Sequence, residues 1–351
     1  MNSLNKNDSI RIVKEAIKQL GVSNISFAML ETQLKNNGFD YPGKLQEFID
    51  RIDPTGEHFA IDTINNHPVV NILPELFEYA YLGNYQQFLE DLSKTVQQEK
   101  WDFNNGKPLQ VLHNYVKVSF KKSLRDNNLV ENSQYSFFHT GLFNEYYDFI
   151  YLVFIPNKIP KKQKWYFNGF YTKNAIRKKL QYNGELPQPP VYWKDRGDFV
   201  FDYTKEIKEP DWEHILGDNI DRVPMNILIG SCTTVGVDCA GKNEDEIRQL
   251  CKNNPSIYTT VRTNIKSKIE ESIKMATTDY SLVAPVYYPK WNIVTLLMPV
   301  YFRDVSTNKP DFALAITQEE DGYVARTILT LEMAIMDARI IRRPQVNWLK
   351  L

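Results

Sequence analysis

The segment from Phe149 to Gly184 carries eight lysines and arginines and no aspartate or glutamate, in a chain with a net charge of −1. Cations attract a phosphate backbone, and aromatic faces stack on unpaired bases. The pattern therefore predicts contact with single-stranded nucleic acid. The predicted contact residues here are Lys161, Lys162, Lys164, Trp165, Tyr171, Lys173 and Arg177. The alternative is a pair of strands with buried aromatics and solvated lysines.

Two histidines offer acid–base chemistry. A ribonuclease often places two imidazoles near a phosphate, and His139 and His214 are the candidates. For His139, which follows two phenylalanines, a partly buried structural role is the alternative. Thr140, Gly141 and Asn144 are predicted to bind a phosphate or a base edge, since glycine lets a ligand approach the backbone. A tight turn with Gly141 at positive φ is the alternative there.

Arginines near the C-terminus form a second candidate site. Arg339 lies seven residues after Glu332 on a predicted helix, so both share one face. They form either a structural ion pair or a ligand-facing pair in which Arg339 grips a phosphate and acts in catalysis. If the larger domain is an enzyme, Arg222 and Tyr287 are predicted to line one pocket together with Thr140, Asn144 and Arg339, and Arg343 to extend its positive charge.

Metal and dinucleotide patterns are missing from the sequence. It has neither the three-glycine fingerprint of dinucleotide folds nor the Gly-Lys-Ser/Thr of phosphate loops. Asp202, Asp218 and Asp311 have no recognisable metal-binding spacing, so no metal site is predicted and the cofactor stays unknown. An odd count of three cysteines favours free thiols. With no apolar run of roughly 20 residues, we expect a cytoplasmic protein without membrane contact.

Residues 1–73 predict three amphipathic helices followed by a hairpin, which is the element order of a winged helix-turn-helix. The strings Asn37-Gly38-Phe39-Asp40, Lys44-Leu45 and Phe48-Ile49 resemble the OST-HTH (LOTUS) domain, over about residues 8–72. The resemblance implies RNA binding. Winged helices also bind proteins, so a protein partner stays open.

The remaining chain is predicted as a helical connector and a larger domain. Residues 74–100 show two amphipathic helices, Glu75–Leu82 and Tyr85–Gln98. Residues 101–351 mix helices and strands, which favours an α+β fold with a mixed, largely antiparallel sheet and flanking helices.

Landmarks spread over residues 101–351 resemble a bacterial domain catalogued only as being of unknown function. They include Phe138-His139-Thr140-Gly141-Leu142, Trp165-Tyr166-Phe167-Asn168-Gly169-Phe170-Tyr171, Ala284-Pro285-Val286-Tyr287-Tyr288 and Thr327-Ile328-Leu329-Thr330-Leu331-Glu332. Domains of this kind tend to follow OST-HTH, cold-shock or similar RNA-binding modules. The chain departs from the usual pattern at His139, where members more often carry asparagine.

Three functions follow as expectations. The first is an RNA-associated protein whose winged helix binds RNA and whose larger domain binds an RNA end, a single-stranded segment or a nucleotide. Such a protein would serve RNA processing or a stress or phage response. The second is a ribonuclease or nucleotide phosphohydrolase. The third is a scaffold that binds protein partners without catalysis.

Overall fold

The computed structural model describes residues 5–103, 106–160, 162–302, 309–341, 343 and 349. The chain divides into two compact units. Unit 1 comprises residues 1–100, 112–191 and 289–292, and unit 2 comprises residues 101–111, 192–288 and 293–351. Helices and largely antiparallel sheets occur in both, which confirms the predicted α+β class. The domain boundaries expected after residues 73 and 100 stay predictions.

Unit 1 begins with three helices and a small antiparallel sheet of order β1-β3-β2. The elements are α1 (Lys6–Leu20), β1 (Ile25–Ser26), α2 (Phe27–Asn36), α3 (Leu45–Ile52), β2 (Phe59–Ile64) and β3 (His67–Ile72). The side chain of Ser26 caps α2 by accepting from the Met29 amide. Asn65 and Asn66, both at positive φ, form the β2–β3 turn. The three helices and the hairpin predicted for residues 1–73 are therefore present, and the short strand β1, which was not predicted, lies between the first two helices.

A five-stranded sheet of order β4-β8-β7-β6-β5 forms the rest of unit 1. The elements, in chain order, are α4 (Leu76–Tyr79), β4 (Ala80–Tyr81), α5 (Tyr85–Thr95), α6 (Gln110–Arg125), β5 (Val130–Glu131), β6 (Ser136–Phe143), β7 (Phe149–Pro156), β8 (Trp165–Thr172) and α7 (Lys173–Lys179). The pair β4–β8 is parallel, and the other pairs are antiparallel.

Helices cover both faces of this sheet. On one face, Phe88 of α5 lies 5.0 Å from Phe167 and 5.3 Å from Phe170, measured between ring centroids. On the other face, buried Ile176 of α7 packs in a cluster that includes Tyr151. The amphipathic pattern of α7 is thus satisfied by the sheet, and its charged side chains are left in solvent.

The helix predicted over residues 75–82 is shorter in the structure. It ends at Tyr79, because Ala80 and Tyr81 pair in parallel with Trp165 and Tyr166 of β8. A strand partner more than 80 residues away in the chain overrides the local helical pattern at this point.

Unit 2 contains a second five-stranded sheet, of order β10-β11-β12-β13-β9, in which only the β13–β9 pair is parallel. Its elements are β9 (Ile207–Lys208), α8 (Met225–Thr234), α9 (Glu244–Asn253), α10 (Pro255–Thr278), β10 (Ala284–Tyr288), β11 (Ile293–Val300), β12 (Phe312–Glu319), β13 (Gly322–Leu329) and α11 (Leu331–Ile341). Helices α8, α9 and α10 share one apolar core with this sheet, and α11 shares another.

Two further findings concern the predicted chemistry of the chain. Within the described ranges, every helix is too short or too polar to cross a lipid bilayer. The three cysteines are free thiols, with the Sγ atoms of Cys232 and Cys251 3.8 Å apart.

Candidate nucleic-acid interface

Strand β8 places one aromatic side chain inside unit 1 and the next one in solvent. Successive residues of a strand point to opposite faces, so Trp165 is 1% exposed whereas Tyr166 is 43% exposed. The Tyr166 ring stacks on Tyr81 of β4, with the centroids 5.7 Å apart and the planes at 29°. Tyr81 is itself 44% exposed. The result is a solvent-facing pair of aromatic rings on a rigid sheet.

Exposed cations of residues 149–184 lie in the connection between β7 and β8 and on α7. In the described part of the segment, six of them form no ion pair and stand in solvent: Lys158, Lys162, Lys173, Arg177, Lys178 and Lys179. Three of the six are in the last turn of α7, where cations are favoured by the helix dipole. These six cations therefore lie on the surface of unit 1 without a paired carboxylate.

Other residues predicted for this contact have different environments. The buried Trp165 has no face free for stacking. Lys164 lies over the Trp165 ring at 4.8 Å and also pairs with Glu131 at 2.6 Å. The Tyr171 hydroxyl accepts a hydrogen bond from Asn168 at 3.0 Å. Lys161 lies outside the described residues.

The cations of α6 contrast with those of α7, because carboxylates and carbonyls of the preceding chain engage them. Lys117 pairs with Glu57 at 2.7 Å, and Lys121 donates to the Glu57 carbonyl at 2.6 Å. Lys121 also pairs with Glu75 and is almost fully buried. These cations bind the N-terminal elements within unit 1 and are unavailable to a phosphate backbone.

The predicted site at His139–Gly141 lies at an irregularity of strand β6. Hydrogen bonds within the fold occupy the polar groups of these residues. The Thr140 hydroxyl donates to the Ile150 carbonyl at 2.7 Å and accepts from the Leu142 amide. Gly141 has φ +76, and a Cβ there would approach the Tyr115 hydroxyl to 2.6 Å. Gly141 adopts the positive φ of the alternative interpretation, but it does so at a bulge within strand β6 and not in a tight turn. Both Thr140 and His139 are 1% exposed.

His139 is held as a neutral imidazole. Its Nδ1 accepts a hydrogen bond from the Gly141 amide at 3.0 Å, so the ring proton resides on Nε2. Burial lowers the pKa of His139 to about 4. His214 is in unit 2, where its Nδ1 lies 3.2 Å from an oxygen of Asp218. The structure therefore does not bring the two histidines together in one unit, and their catalytic roles stay predictions.

Asn144 organises the β6–β7 turn. Its side-chain oxygen accepts from the amides of Tyr146 and Asp148, each at 3.0 Å. The Asn144 amide oxygen is therefore engaged with backbone, in the manner of an Asx turn. Tyr147 in this turn has φ 62, an uncommon conformation for an aromatic residue.

In unit 2, Arg222 lies against the C-terminal half of β13. It donates to the Thr327 hydroxyl at 3.0 Å and to the Ile328 carbonyl at 3.2 Å. Its charge also acts on Asp337 of α11, a partly buried carboxyl without a hydrogen bond to any residue that the structure describes. Burial raises the pKa of Asp337 to about 7, and Arg222 opposes that rise. Asp337 was not among the predicted residues.

The other predicted residues of unit 2 are mostly inside it. Arg339 is 6% exposed, with its guanidinium carbon 4.8 Å from the centroid of Trp101. Glu332, predicted to share its face, is exposed. Tyr287 is buried beside Tyr192, and Arg343 is partly buried. Arg339 thus lies in a cation–π contact of the core.

A polar groove of about 480 Å³ lies between α8 and α10. Asn264 donates to the Ser231 hydroxyl at 3.2 Å on its wall, and Lys268 pairs with Glu271 at 2.8 Å. These contacts satisfy much of the lining, so the groove offers few convergent polar groups to a ligand.

Metal-ligating side chains do not cluster in the part of the chain that the structure describes. Across the described residues, no three histidine, cysteine, aspartate or glutamate side chains come together as ligands for an ion.

The surface residues that sequence reasoning missed are Tyr81 and Tyr166. The alternation of β8 signals the exposure of Tyr166, but only the non-local β4–β8 pairing brings Tyr81 beside it.

Comparisons with known proteins address the larger region. No curated protein matches the chain, and no solved structure matches it. A family model described as a domain of unknown function, DUF3825, matches residues 92–348. This match covers most of the chain and confirms the resemblance noted for its larger domain. The chain therefore belongs to the DUF3825 family.

Proposed function

We propose that this protein binds single-stranded RNA through the sheet surface of unit 1. The observation that carries the proposal is the exposed, stacked pair Tyr81–Tyr166 on the same unit as the unpaired cations of α7. Aromatic rings on a sheet present flat faces to splayed bases, and nearby cations neutralise phosphates. RNA is preferred to DNA here because the N-terminal residues resemble an RNA-binding module.

The N-terminal elements are proposed to form a winged helix of the OST-HTH type. Three helices and a hairpin in the order α1-β1-α2-α3-β2-β3 support this assignment. Residues 1–73 contain seven Lys and Arg against nine Asp and Glu, so their charge favours RNA less than that of residues 149–184 does. We therefore assign the main RNA contact to the sheet and α7, with the winged helix as a secondary RNA or protein contact. The setting we propose is the cytoplasm.

The test is fluorescence anisotropy with a labelled single-stranded RNA of mixed sequence and a matched duplex, at several salt concentrations. Tyr166→Ala is expected to weaken single-strand binding by about 1–3 kcal/mol, the range for loss of one stacked base. The double variant Lys173→Glu/Arg177→Glu is expected to weaken binding and to reduce the slope of log K against log salt by about 1.4.

Matched controls come from the same chain. Tyr203 is 64% exposed in unit 2, so Tyr203→Ala removes a ring that is even more accessible than that of Tyr166 and should leave affinity unchanged. Lys44→Glu reports on the winged helix, and Lys242→Glu reports on unit 2; both side chains are exposed. An equal loss of RNA affinity in Lys173→Glu and Lys242→Glu would show that the interaction is a nonspecific attraction between charges. Absence of salt-sensitive binding to any strand would refute the proposal and favour a protein scaffold.

A second candidate function, hydrolysis of a phosphate ester or a nucleotide, is favoured by Asp337. A carboxyl with its pKa near 7 has the protonation behaviour of a general acid or base, and Arg222 supplies a cation whose charge acts on this carboxyl. Incubation of the purified protein with labelled RNA and with nucleoside triphosphates tests this. Turnover that Asp337→Asn abolishes without unfolding would establish the enzyme.

A further inference from the structure

The β6–β7 turn presents a second aromatic surface on unit 1. Tyr146 is 76% exposed, Tyr147 is 73% exposed and Phe149 is 44% exposed. The Tyr147 ring stacks on Phe143 with the centroids 5.4 Å apart, and Phe149 packs on His139 at 4.7 Å. Asn144 fixes the backbone of the turn through two amides, and the ring contacts hold Tyr147 and Phe149 in place before any ligand arrives.

Strand β7 relates this turn to the Tyr81–Tyr166 pair. Phe149 and Ile155 lie six residues apart on β7, so their side chains point to the same face and are separated by about 20 Å. Ile155 is the cross-strand partner of Tyr166. Between them on that face, Tyr151 is covered by Ile176 of α7. The exposed cations of α7 therefore lie between the two aromatic surfaces.

The charge of the turn differs from that of α7. Glu145 and Asp148 are both exposed and form no ion pair with a described residue. Two carboxylates beside aromatic rings repel a phosphate but accept hydrogen bonds from hydroxyl groups. A stacked nucleoside fits this combination if its sugar carries free hydroxyls. In RNA only the 3′ end offers two adjacent hydroxyls without a phosphate.

We propose that the β6–β7 turn binds the terminal nucleoside of an RNA strand that ends in a free 3′-hydroxyl, while the strand runs past α7 to Tyr81–Tyr166. The base stacks on Tyr147 and Phe149, and Glu145 or Asp148 accepts from the 2′- and 3′-hydroxyls. This inference rests on the proposed RNA binding and specifies its substrate as a strand end.

The experiment compares four oligonucleotides of one sequence: a linear RNA with a free 3′-hydroxyl, the same strand with a 3′-phosphate, the same strand with a 5′-phosphate, and a circular form. Affinity should fall about tenfold with the 3′-phosphate and with the circle, and change less than twofold with the 5′-phosphate. The double variant Glu145→Gln/Asp148→Asn should bind the 3′-phosphate strand better than the native protein does.

Tyr147→Asn removes a ring while keeping a residue that tolerates positive φ, and it should reduce the preference for the linear strand over the circle. Equal binding of all four oligonucleotides, with Lys173→Glu still weakening each, would overturn end recognition and leave the sheet contact standing. A preference for the 5′-phosphate strand would also overturn it. Loss of binding to every strand would instead refute the proposed function itself.

Discussion

The guanidinium of Arg125 holds the carboxylate of Asp62 in a two-point contact, with Nη2 2.7 Å and Nε 3.0 Å from Oδ1. The Arg125 side chain is only 4% exposed. Arg125 also donates to the Ile61 carbonyl at 2.8 Å, so α6 is joined to strand β2 by charge and by backbone. Without Asp62 the guanidinium would keep its hydrogen bonds to the Ile61 and Pro289 carbonyls but would lose the negative charge that pairs with it.

Asp62→Ala is therefore expected to lower the free energy of unfolding by about 1.5–3 kcal/mol, the usual worth of a hydrogen bond to a charged group, because the Asp62 side chain is 33% exposed. Arg125→Met/Asp62→Leu, which removes both charges, should recover much of this loss. Urea unfolding of the native protein, Asp62→Leu, Arg125→Met and the double variant measures the coupling. A loss below about 0.5 kcal/mol in Asp62→Ala, which is typical of a surface pair, would show that the contact is solvated.

Stability should depend on pH through His139. The pKa of His139 is lowered to about 4 in the fold by burial, against an ordinary value of 6.5. Above pH 6.5 both folded and unfolded states are neutral here. Between pH 6.5 and 4 only the unfolded state gains the proton, so stability falls as the pH falls, by about 3 kcal/mol over this window.

His139→Asn separates this effect from other titrations. The asparagine oxygen can accept the Gly141 amide in place of Nδ1, so the bulge should persist while the His139 contribution to the pH dependence disappears. Thermal unfolding at pH 7.5, 6 and 5 is the measurement. An unchanged pH profile in the variant would assign the dependence to other groups.

Gly141 should resist substitution. At φ +76 a side chain is strained, and the new Cβ would press on the hydroxyl of Tyr115, which donates to the Thr140 carbonyl at 3.0 Å. Gly141→Ala is expected to cost about 1–3 kcal/mol. Adding Tyr115→Phe removes the hydroxyl and should make the glycine substitution less costly than in the native background. Differential scanning calorimetry, with and without Gly141→Ala in the native and in the Tyr115→Phe background, measures the cost of the substitution in each.

Asp337 should destabilise the fold at high pH. Its pKa is raised by burial from 3.8 to about 7, so its stabilising contribution is complete below pH 3.8 and is lost as the pH rises through 7. Asp337→Asn stays neutral, and at pH 8 it should be more stable than the native chain by about 1–2 kcal/mol, given partial solvent screening. At pH 4 the two should unfold together. If Asp337→Asn is more stable than the native chain at both pH 8 and pH 4, the gain would come from packing and not from the titration of Asp337.

Much of the fold was predictable because its helices and strands are locally consistent. Helix α1 follows its apolar spacing, and β6, β7 and β8 lie within one or two residues of the strands that the apolar runs 135–142, 148–154 and 165–171 predict. The failure at Ala80–Tyr81 came from a strand pairing that no local pattern encodes. Helix α8 was also missed, because its apolar residues do not form a clear stripe.

The candidate site was harder to predict than the fold. The basic segment was recognised from composition, yet the choice of Trp165 over Tyr166 as a stacking residue ignored which one the sheet buries. His139 and Thr140 have residue types suited to catalysis, but their hydrogen bonds are used to build a bulge. Residue type predicts chemistry only when a side chain keeps a free face, and that depends on tertiary packing.

The four cations within Lys173–Lys179 have a consequence for the behaviour of the whole protein on charged matrices. From its sequence pI of about 6.6 and its net charge of −1, the protein would be expected to pass through a cation exchanger at pH 8. A charged matrix interacts with the nearest few charges of a protein and not with its net charge. The reason is that salt ions screen the electrostatic interaction with charges more than about 10 Å away at 0.1 M salt. The protein should therefore be retained on immobilised heparin in an orientation that α7 dictates.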